Sequence, residues 1–153
     1  LNISSYGSAE EKKTNSWITK KEASLPPIKH PKRENKNPEE FKNQPFSVNK
    51  QSMTGPIIKI KKPDPDKLYN DLIDILIHFD KNPIGESVDM TSLRVIYLKM
   101  FGIDITDRIL PYVKETRIDA NGIKFPEGKH EFEIRIKDTN ELESNEIFKI
   151  KVN

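Results

Sequence analysis

Apolar and polar residues alternate in two stretches near the middle of the chain. Residues 57–62 read Ile-Ile-Lys-Ile-Lys-Lys, which predicts a short basic strand that Pro63 ends. In residues 73–79 every second position is Ile or Phe, and a period of two predicts a half-buried strand. The sequence Lys81-Asn82-Pro83 ends this second strand.

A helical period follows, over about residues 89–101. The positions that share one helical face are all apolar: Leu93, Ile96, Tyr97 and Met100. Asp89 is the predicted N-cap, because a carboxylate accepts from free backbone N–H groups at a helix start. Gly102 is the predicted residue after the helix end, since glycine adopts a left-handed conformation at little cost.

The C-terminal residues predict a β-hairpin. Apolar side chains alternate with charged ones in 132–136 and again in 148–152, and residues 138–145 between them are polar and typical of a turn. Strand, helix, short strand and hairpin in this order predict an α+β domain at 63–153, with a small mixed sheet and one main helix. Its predicted core comprises Ile73, Ile75, Ile77, Phe79, Leu93, Ile96, Met100, Phe132, Ile134, Ile136, Phe148, Ile150 and Val152.

Residues 1–62 differ in composition from the rest of the chain and predict an extended, irregular, proline-rich arm. Its prolines recur too often for long helices, and its apolar residues are scattered. Such a segment buries too little apolar surface to offset the entropy lost on ordering. Against a large partner it could become ordered, with Trp17, Phe41 and Phe46 as anchors.

Charge divides the chain at the same place. Residues 1–62 carry 13 Lys and Arg against 6 Asp and Glu, a net charge of +7, whereas residues 63–153 carry 13 against 18, a net charge of −5. A basic arm on an acidic domain fits either a polyanionic partner or a solubilising tail. On the first alternative, the residues predicted to contact RNA phosphates are Lys20, Lys21, Lys29, Lys32, Arg33, Lys59, Lys61 and Lys62.

The basic strand at 57–62 has two interpretations. An extended backbone places Lys59 and Lys61 on one side, where they could follow successive phosphates while the isoleucines cover protein surface. Alternatively, the lysines protect an edge strand against aggregation.

Residues with catalytic or metal-binding chemistry form no recognisable pattern. The chain has no cysteine, and its three histidines, His30, His78 and His130, have no metal-ligand spacing. Residues 138–141 resemble the start of a calcium loop but lack its glycine, so a solvated turn is the better interpretation. The sequence therefore predicts no enzyme activity, no cofactor and no small-molecule substrate. Because no apolar run approaches about 20 residues, it also predicts no membrane span.

One stretch resembles a known family. Ser87-Val88, the predicted helix, Phe101-Gly102-Ile103-Asp104-Ile105, residues 128–132 (Gly-Lys-His-Glu-Phe) and the basic-aliphatic run 146–152 follow one another in this order. This order resembles the C-terminal domain of the ninth protein of the bacterial-type ribosomal large subunit, over roughly residues 71–153. The family's RNA-binding N-terminal domain has no counterpart here, its long connecting helix is not evident, and residues 112–125 are longer than its usual connection.

The resemblance implies a divergent mitochondrial version of that protein. The implied function is a structural constituent of the mitochondrial large ribosomal subunit in the matrix, with ribosomal RNA and other ribosomal proteins as partners. The first residue, Leu1, fits a removed leader or a fragment of a longer chain. The alternative function is a β-rich adhesion or binding module of a larger surface protein, because residues 128–152 also resemble the terminal hairpin of an immunoglobulin-like sandwich.

Overall fold

The computed structural model describes residues 15–28 and 55–153. The secondary structure of these residues consists almost entirely of strands: β1 (Ile57–Lys62), β2 (Leu68–Tyr69), β3 (Ile73–Asp80), β4 (Val88–Tyr97), β5 (Ile103–Asp104), β6 (Val113–Lys114), β7 (Arg117–Ile123), β8 (Gly128–Asp138) and β9 (Glu143–Val152). The helices are short: α1 (Lys20–Ala23), α2 (Thr106–Ile109) and a single 3-10 turn (Leu110–Tyr112).

The strands form two sheets that enclose one hydrophobic core. One sheet has the order β1-β3-β7-β6 and the other the order β2-β9-β8-β4-β5. Buried side chains of both sheets, among them Ile77, Ile118, Ile134 and Phe148, belong to the same core cluster. The fold is therefore a β-sandwich, and the predicted α+β class with one main helix is wrong.

The predicted helix at 89–101 is strand β4. Leu93, Val95 and Tyr97 are buried in alternation, and β4 pairs antiparallel with β8, with Val95 opposite Ile134 and Tyr97 opposite Phe132. The helical pattern was misleading because positions four apart lie on one side of a strand as well as on one face of a helix. This segment forms a strand because it pairs with β8 and because it contains β-branched and aromatic residues, which favour strands.

The residues assigned to the helix ends stabilise a bulge and a turn instead. The Asp89 carboxylate accepts from the backbone N–H and hydroxyl of Thr91, at 3.0 and 2.6 Å, where the pairing of β4 with β8 shifts register. The Ser92 hydroxyl lies 2.7 Å from the backbone N–H of Lys137 and accepts from it, in place of a backbone carbonyl. Gly102, with φ of +97°, lies in the β4–β5 turn, where only glycine adopts such a conformation cheaply.

The predicted C-terminal hairpin is confirmed. β8 and β9 pair in continuous register from Gly128 opposite Val152 to Lys137 opposite Glu143. Most of the predicted core residues are buried, but Ile96 faces away from the core and Met100 is 40% exposed. For these two residues the prediction of a core position rests only on the helical period.

Part of the predicted arm packs into this sandwich. Trp17 and Ile18 are 1% and 2% exposed, and the Trp17 ring lies 6.0, 5.9 and 6.4 Å from the rings of Tyr112, Phe125 and Phe132. Strand β1, also from the arm, pairs with β3. Residues on both sides of the predicted boundary at 62/63 therefore share one core.

An ion pair holds the segment 15–28 against α2. Both Arg108 terminal nitrogens donate to the Glu22 carboxylate at 2.8 Å, and one also donates to the Trp17 carbonyl at 2.9 Å. The hydrogen bonds from Arg108 lower the pKa of Glu22 to about 2. Glu22 also completes a capping box with Thr19 at the start of α1. The Glu22 side chain therefore both stabilises the start of α1 and holds α1 against α2 through Arg108.

Candidate binding groove

The lysines predicted to bind RNA lie on two separate elements. Lys20 and Lys21 are exposed on α1, whereas Lys59, Lys61 and Lys62 are exposed on β1. Lys29, Lys32 and Arg33 lie outside the described residues, as do the predicted anchors Phe41 and Phe46. Of the predicted lysines that the structure describes, only those of β1 are grouped, and their contact with RNA stays a prediction.

Strand β1 is an edge strand with the predicted alternation. Ile58 and Ile60 pack against the core, while Lys59 and Lys61 face solvent. Lys59 donates to the Asp80 carboxylate at 2.8 Å, and this hydrogen bond holds the pKa of Asp80 below its usual value. Since β1 is outermost in its sheet, its lysines occupy the positions expected for edge protection.

The outer edge of β9 is open in the described part of the chain. β2 pairs with it only at Lys151 and Val152. There the Asn153 N–H donates to the Tyr69 carbonyl at 2.7 Å, so odd-numbered residues point their backbone groups away from β8. At the other end, the N–H of Asp138 in β8 donates to the Leu142 carbonyl. The even-numbered residues from 142 onwards therefore direct their backbone groups towards β8.

It follows that three residues of β9 present backbone groups along this edge that no other described residue pairs with. They are Asn145, Ile147 and Lys149, because backbone direction alternates and the β8–β9 register is continuous. An open edge of this kind is a template for pairing with another strand.

Two hollows line up between the β1 and β9 edges and form the groove. The first, of about 520 Å³, is lined by Ile60, Pro63, Pro65, Asp66, Ile147, Phe148, Lys149 and Lys151. The second, of about 340 Å³, is lined by Pro56, Ile57, Ile58, Asn82, Ser144, Asn145 and Glu146. Because β9 residues line both hollows, the groove follows this strand along most of its length.

The groove contains a buried hydroxyl that lacks a hydrogen-bond partner. Ser144 is only 9% exposed, and its Oγ has no partner. Gly55 lies against it so closely that a Cβ at position 55 would be 2.5 Å from this oxygen. A buried hydroxyl without a partner is costly. Because Gly55 covers this oxygen, the hydroxyl belongs to the packing of residue 55 on β9.

Positive charge collects at the Lys151 end of the groove. Lys149 and Lys151 line the first hollow with Asp66, so two lysines stand against one carboxylate there. The Lys149 ammonium also lies 4.0 Å from the Glu131 carboxylate in a solvent-exposed pair. Glu146 lies towards the other end and is exposed although its position on the strand faces inward. The groove is thus polarised along its length.

The turn that starts β9 is held by one buried carboxylate. Asp138, 1% exposed, accepts from the backbone N–H groups of Asn140 and Leu142 at 2.8 and 2.9 Å, and from that of Glu86 at 3.4 Å. Burial alone would raise its pKa, but these hydrogen bonds outweigh burial and hold the pKa of Asp138 below its usual value. The turn interpretation of this sequence therefore has a direct structural basis.

His130 is buried in the core beside the other aromatic side chains. Its Nε2 lies 2.7 Å from the Pro126 carbonyl, which only accepts, so Nε2 carries the proton and the Tyr97 hydroxyl donates to Nδ1 at 2.9 Å. Burial lowers the pKa of His130 and raises the pKa of Tyr97 to about 12. Both groups therefore stay neutral, in keeping with a structural role.

A second apolar surface lies at the β4–β5 turn. Phe101 is 94% exposed and borders a hollow of about 420 Å³ that it shares with Pro26, Pro27, Ile28 and Met100. The Met100 N–H donates to the Pro26 carbonyl at 2.8 Å, which fixes the two segments together. This surface is apolar throughout and offers few groups that would orient a ligand.

Among the residues described, no three His, Asp or Glu side chains are grouped as a metal site would require. Within the same residues no helix is long and apolar enough to cross a membrane. Comparison with protein families, with curated proteins and with solved structures found no match to this chain.

Sequence reasoning missed the β9 side of the groove. The alternation in 146–152 predicts that Lys149 and Lys151 share one side of a strand, but not that this strand has an open edge. Strand order determines the open edge, and no pattern within one strand encodes strand order.

Proposed function

We propose that this chain is a binding module of a larger surface protein and that it holds its partner in the β1–β9 groove. The open edge of β9 is the observation that carries the proposal. Within residues 15–28 and 55–153, nothing pairs with the outward backbone groups of three residues there, and these groups border the groove. Binding through a preformed groove between edge strands requires no catalytic group.

The sandwich supports the binding module over the ribosomal protein, the other function that the sequence left open. The ribosomal resemblance depended on a helix at 89–101, and β4 occupies those residues. The exposed Lys61 and Lys62 are the observation that still favours RNA. A sandwich with an open groove is better suited to a β-rich binding module, so the ribosomal function is the second candidate.

Fractionation of the source cells distinguishes the two candidates. A surface module should react with a membrane-impermeant amine reagent in intact cells and remain at the top of a sucrose gradient. A ribosomal protein should resist the reagent and sediment with large subunits at moderate salt. Sedimentation with large subunits, together with crosslinks to ribosomal RNA, would overturn the proposal.

A photo-crosslinking residue tests whether the groove is the binding surface. Placed at Ile147, it should give a discrete adduct in intact cells. At Lys114, on the opposite edge strand β6 of the other sheet, it should give none. Equal adducts at both positions would show that contact with the groove is not specific.

A further inference from the structure

We infer that the partner is an extended strand of another protein that pairs with the open edge of β9 and presents carboxylates to the lysines at the Lys151 end. The inference rests on the proposed function and names the chemistry of the occupant. Addition of a strand to a sheet edge combines backbone hydrogen bonds, which supply affinity, with side-chain contacts, which supply specificity.

Backbone geometry sets the length of the added strand. Asn145, Ile147 and Lys149 each offer one N–H donor and one carbonyl acceptor to the edge, so a strand of about six residues would satisfy them. β2 occupies the edge at Lys151 and Val152 and limits the added strand at that end. The pairing site is therefore short and has a defined boundary.

Side chains of the added strand would meet two different surfaces. On the outer face they would lie beside Ile147, which is 45% exposed, and Lys149. On the inner face they would enter the groove, where Ile60 and Phe148 are apolar. The inner positions therefore favour small apolar residues.

Charge sets the orientation. Lys149 and Lys151 line the first hollow together with one carboxylate, Asp66, whereas Glu146 is the charged residue that lines the second. A carboxylate near the lysines gains attraction, and the same group near Glu146 meets repulsion. An added strand with its acidic residues at one end would consequently bind in one direction only.

Capped synthetic peptides are suitable probes. Two acidic peptides of about eight alternating Thr and Val residues, one with a Glu pair at its start and one with the pair at its end, cover both directions. Matched peptides carry Lys in place of Glu. In amide-detected NMR of the whole chain, one acidic peptide should shift the signals of Asn145, Ile147 and Lys149, and the Lys peptides should not.

Two substitutions at one exposed position separate strand pairing from side-chain contact. Ile147→Pro removes the outward N–H without breaking the ladder to β8 and should abolish binding, whereas Ile147→Thr keeps the N–H and should bind. Lys149→Glu should weaken binding at least about threefold, as expected for reversal of an exposed charge. If Ile147→Pro does not fold, the acidic peptide with alternate backbone nitrogens methylated provides the same test, because it cannot donate to the edge.

Each result bears on the inference. Failure of both acidic peptides, unchanged binding to Ile147→Pro, or shifts that map to another surface would overturn it. Stronger binding of a single-stranded RNA, with marked salt dependence, would assign the lysines to phosphates, and concentration-dependent dimers would assign the edge to a second copy of the chain. If the peptides fail but the crosslink at Ile147 persists in cells, this inference alone is wrong and the proposed function stands.

Discussion

Replacing Trp17 with Ala should destabilise the whole sandwich, although residue 17 lies far from the strands in sequence. The side chain is 1% exposed among aromatic rings. Burial of about 200 Å² at about 25 cal/mol per Å² contributes roughly 5 kcal/mol. The indole N–H is buried without a partner, which costs about 1–3 kcal/mol. The net loss on Trp17→Ala should be about 3 kcal/mol.

Trp17→Phe separates these two contributions. Phenylalanine retains most of the aromatic area and removes the unpartnered N–H, so the free energy of unfolding should change by less than about 1.5 kcal/mol. Unfolding in urea should be followed by far-UV circular dichroism, because the substitution removes the only tryptophan. Phe101→Ala is a matched control at a ring that is 94% exposed, and its effect should stay within about 0.5 kcal/mol. An unchanged midpoint for Trp17→Ala would refute the docking of this segment.

Three further predictions concern the sheets and the core. Ile134 is fully buried in β8 between β4 and β9, so Ile134→Ala should lower the free energy of unfolding by about 2–5 kcal/mol. A urea titration with an unchanged midpoint would contradict the β8 register. Because burial lowers the pKa of His130 below its unfolded value, stability should be greatest above about pH 6.5 and fall as the pH falls below it. His130→Gln should flatten the dependence of the midpoint between about pH 7.5 and pH 5.5. Replacing Lys59, Lys61 and Lys62 together with Gln should increase aggregation in light scattering and leave RNA binding unaltered. If the RNA affinity of this variant depended less on salt, by about one unit of slope per lysine, the phosphate interpretation would be favoured.

Alternation of apolar and polar residues predicted strands correctly where one face of the strand is buried and the other is exposed to solvent. It correctly placed β1, β3 and the β8–β9 hairpin, because their side chains follow a period of two. It failed at β4, where Leu93 and Tyr97 satisfy helical and strand periods alike, and only the partner strand β8 decides between them. The error changed the fold class, since a helix at that position excludes a sandwich.

The candidate groove could not be predicted for a different reason. Lys149 and Lys151 were recognisable as strand residues, but the open edge beside them depends on which strand is outermost in each sheet. The burial of Trp17 in the core could not be predicted either, because the rings that it contacts lie about a hundred positions further along the chain. Sequence patterns report local period, whereas both features arise from contacts between distant segments.

The position of Trp17 also has a consequence for synthesis of the protein on the ribosome. The chain is made from its N-terminus, so Trp17 emerges before Tyr112, Phe125 and Phe132, the rings it packs against. At about 5–20 residues per second, the delay before Phe132 is made is on the order of 10 s. Until Tyr112 is made, the indole has none of its native aromatic neighbours, and until β8 and β9 are made, β1 and β3 lack most of the opposing sheet. The nascent chain therefore passes through a stage in which its only tryptophan is exposed to solvent, and a chaperone would have the most apolar surface to bind at this stage.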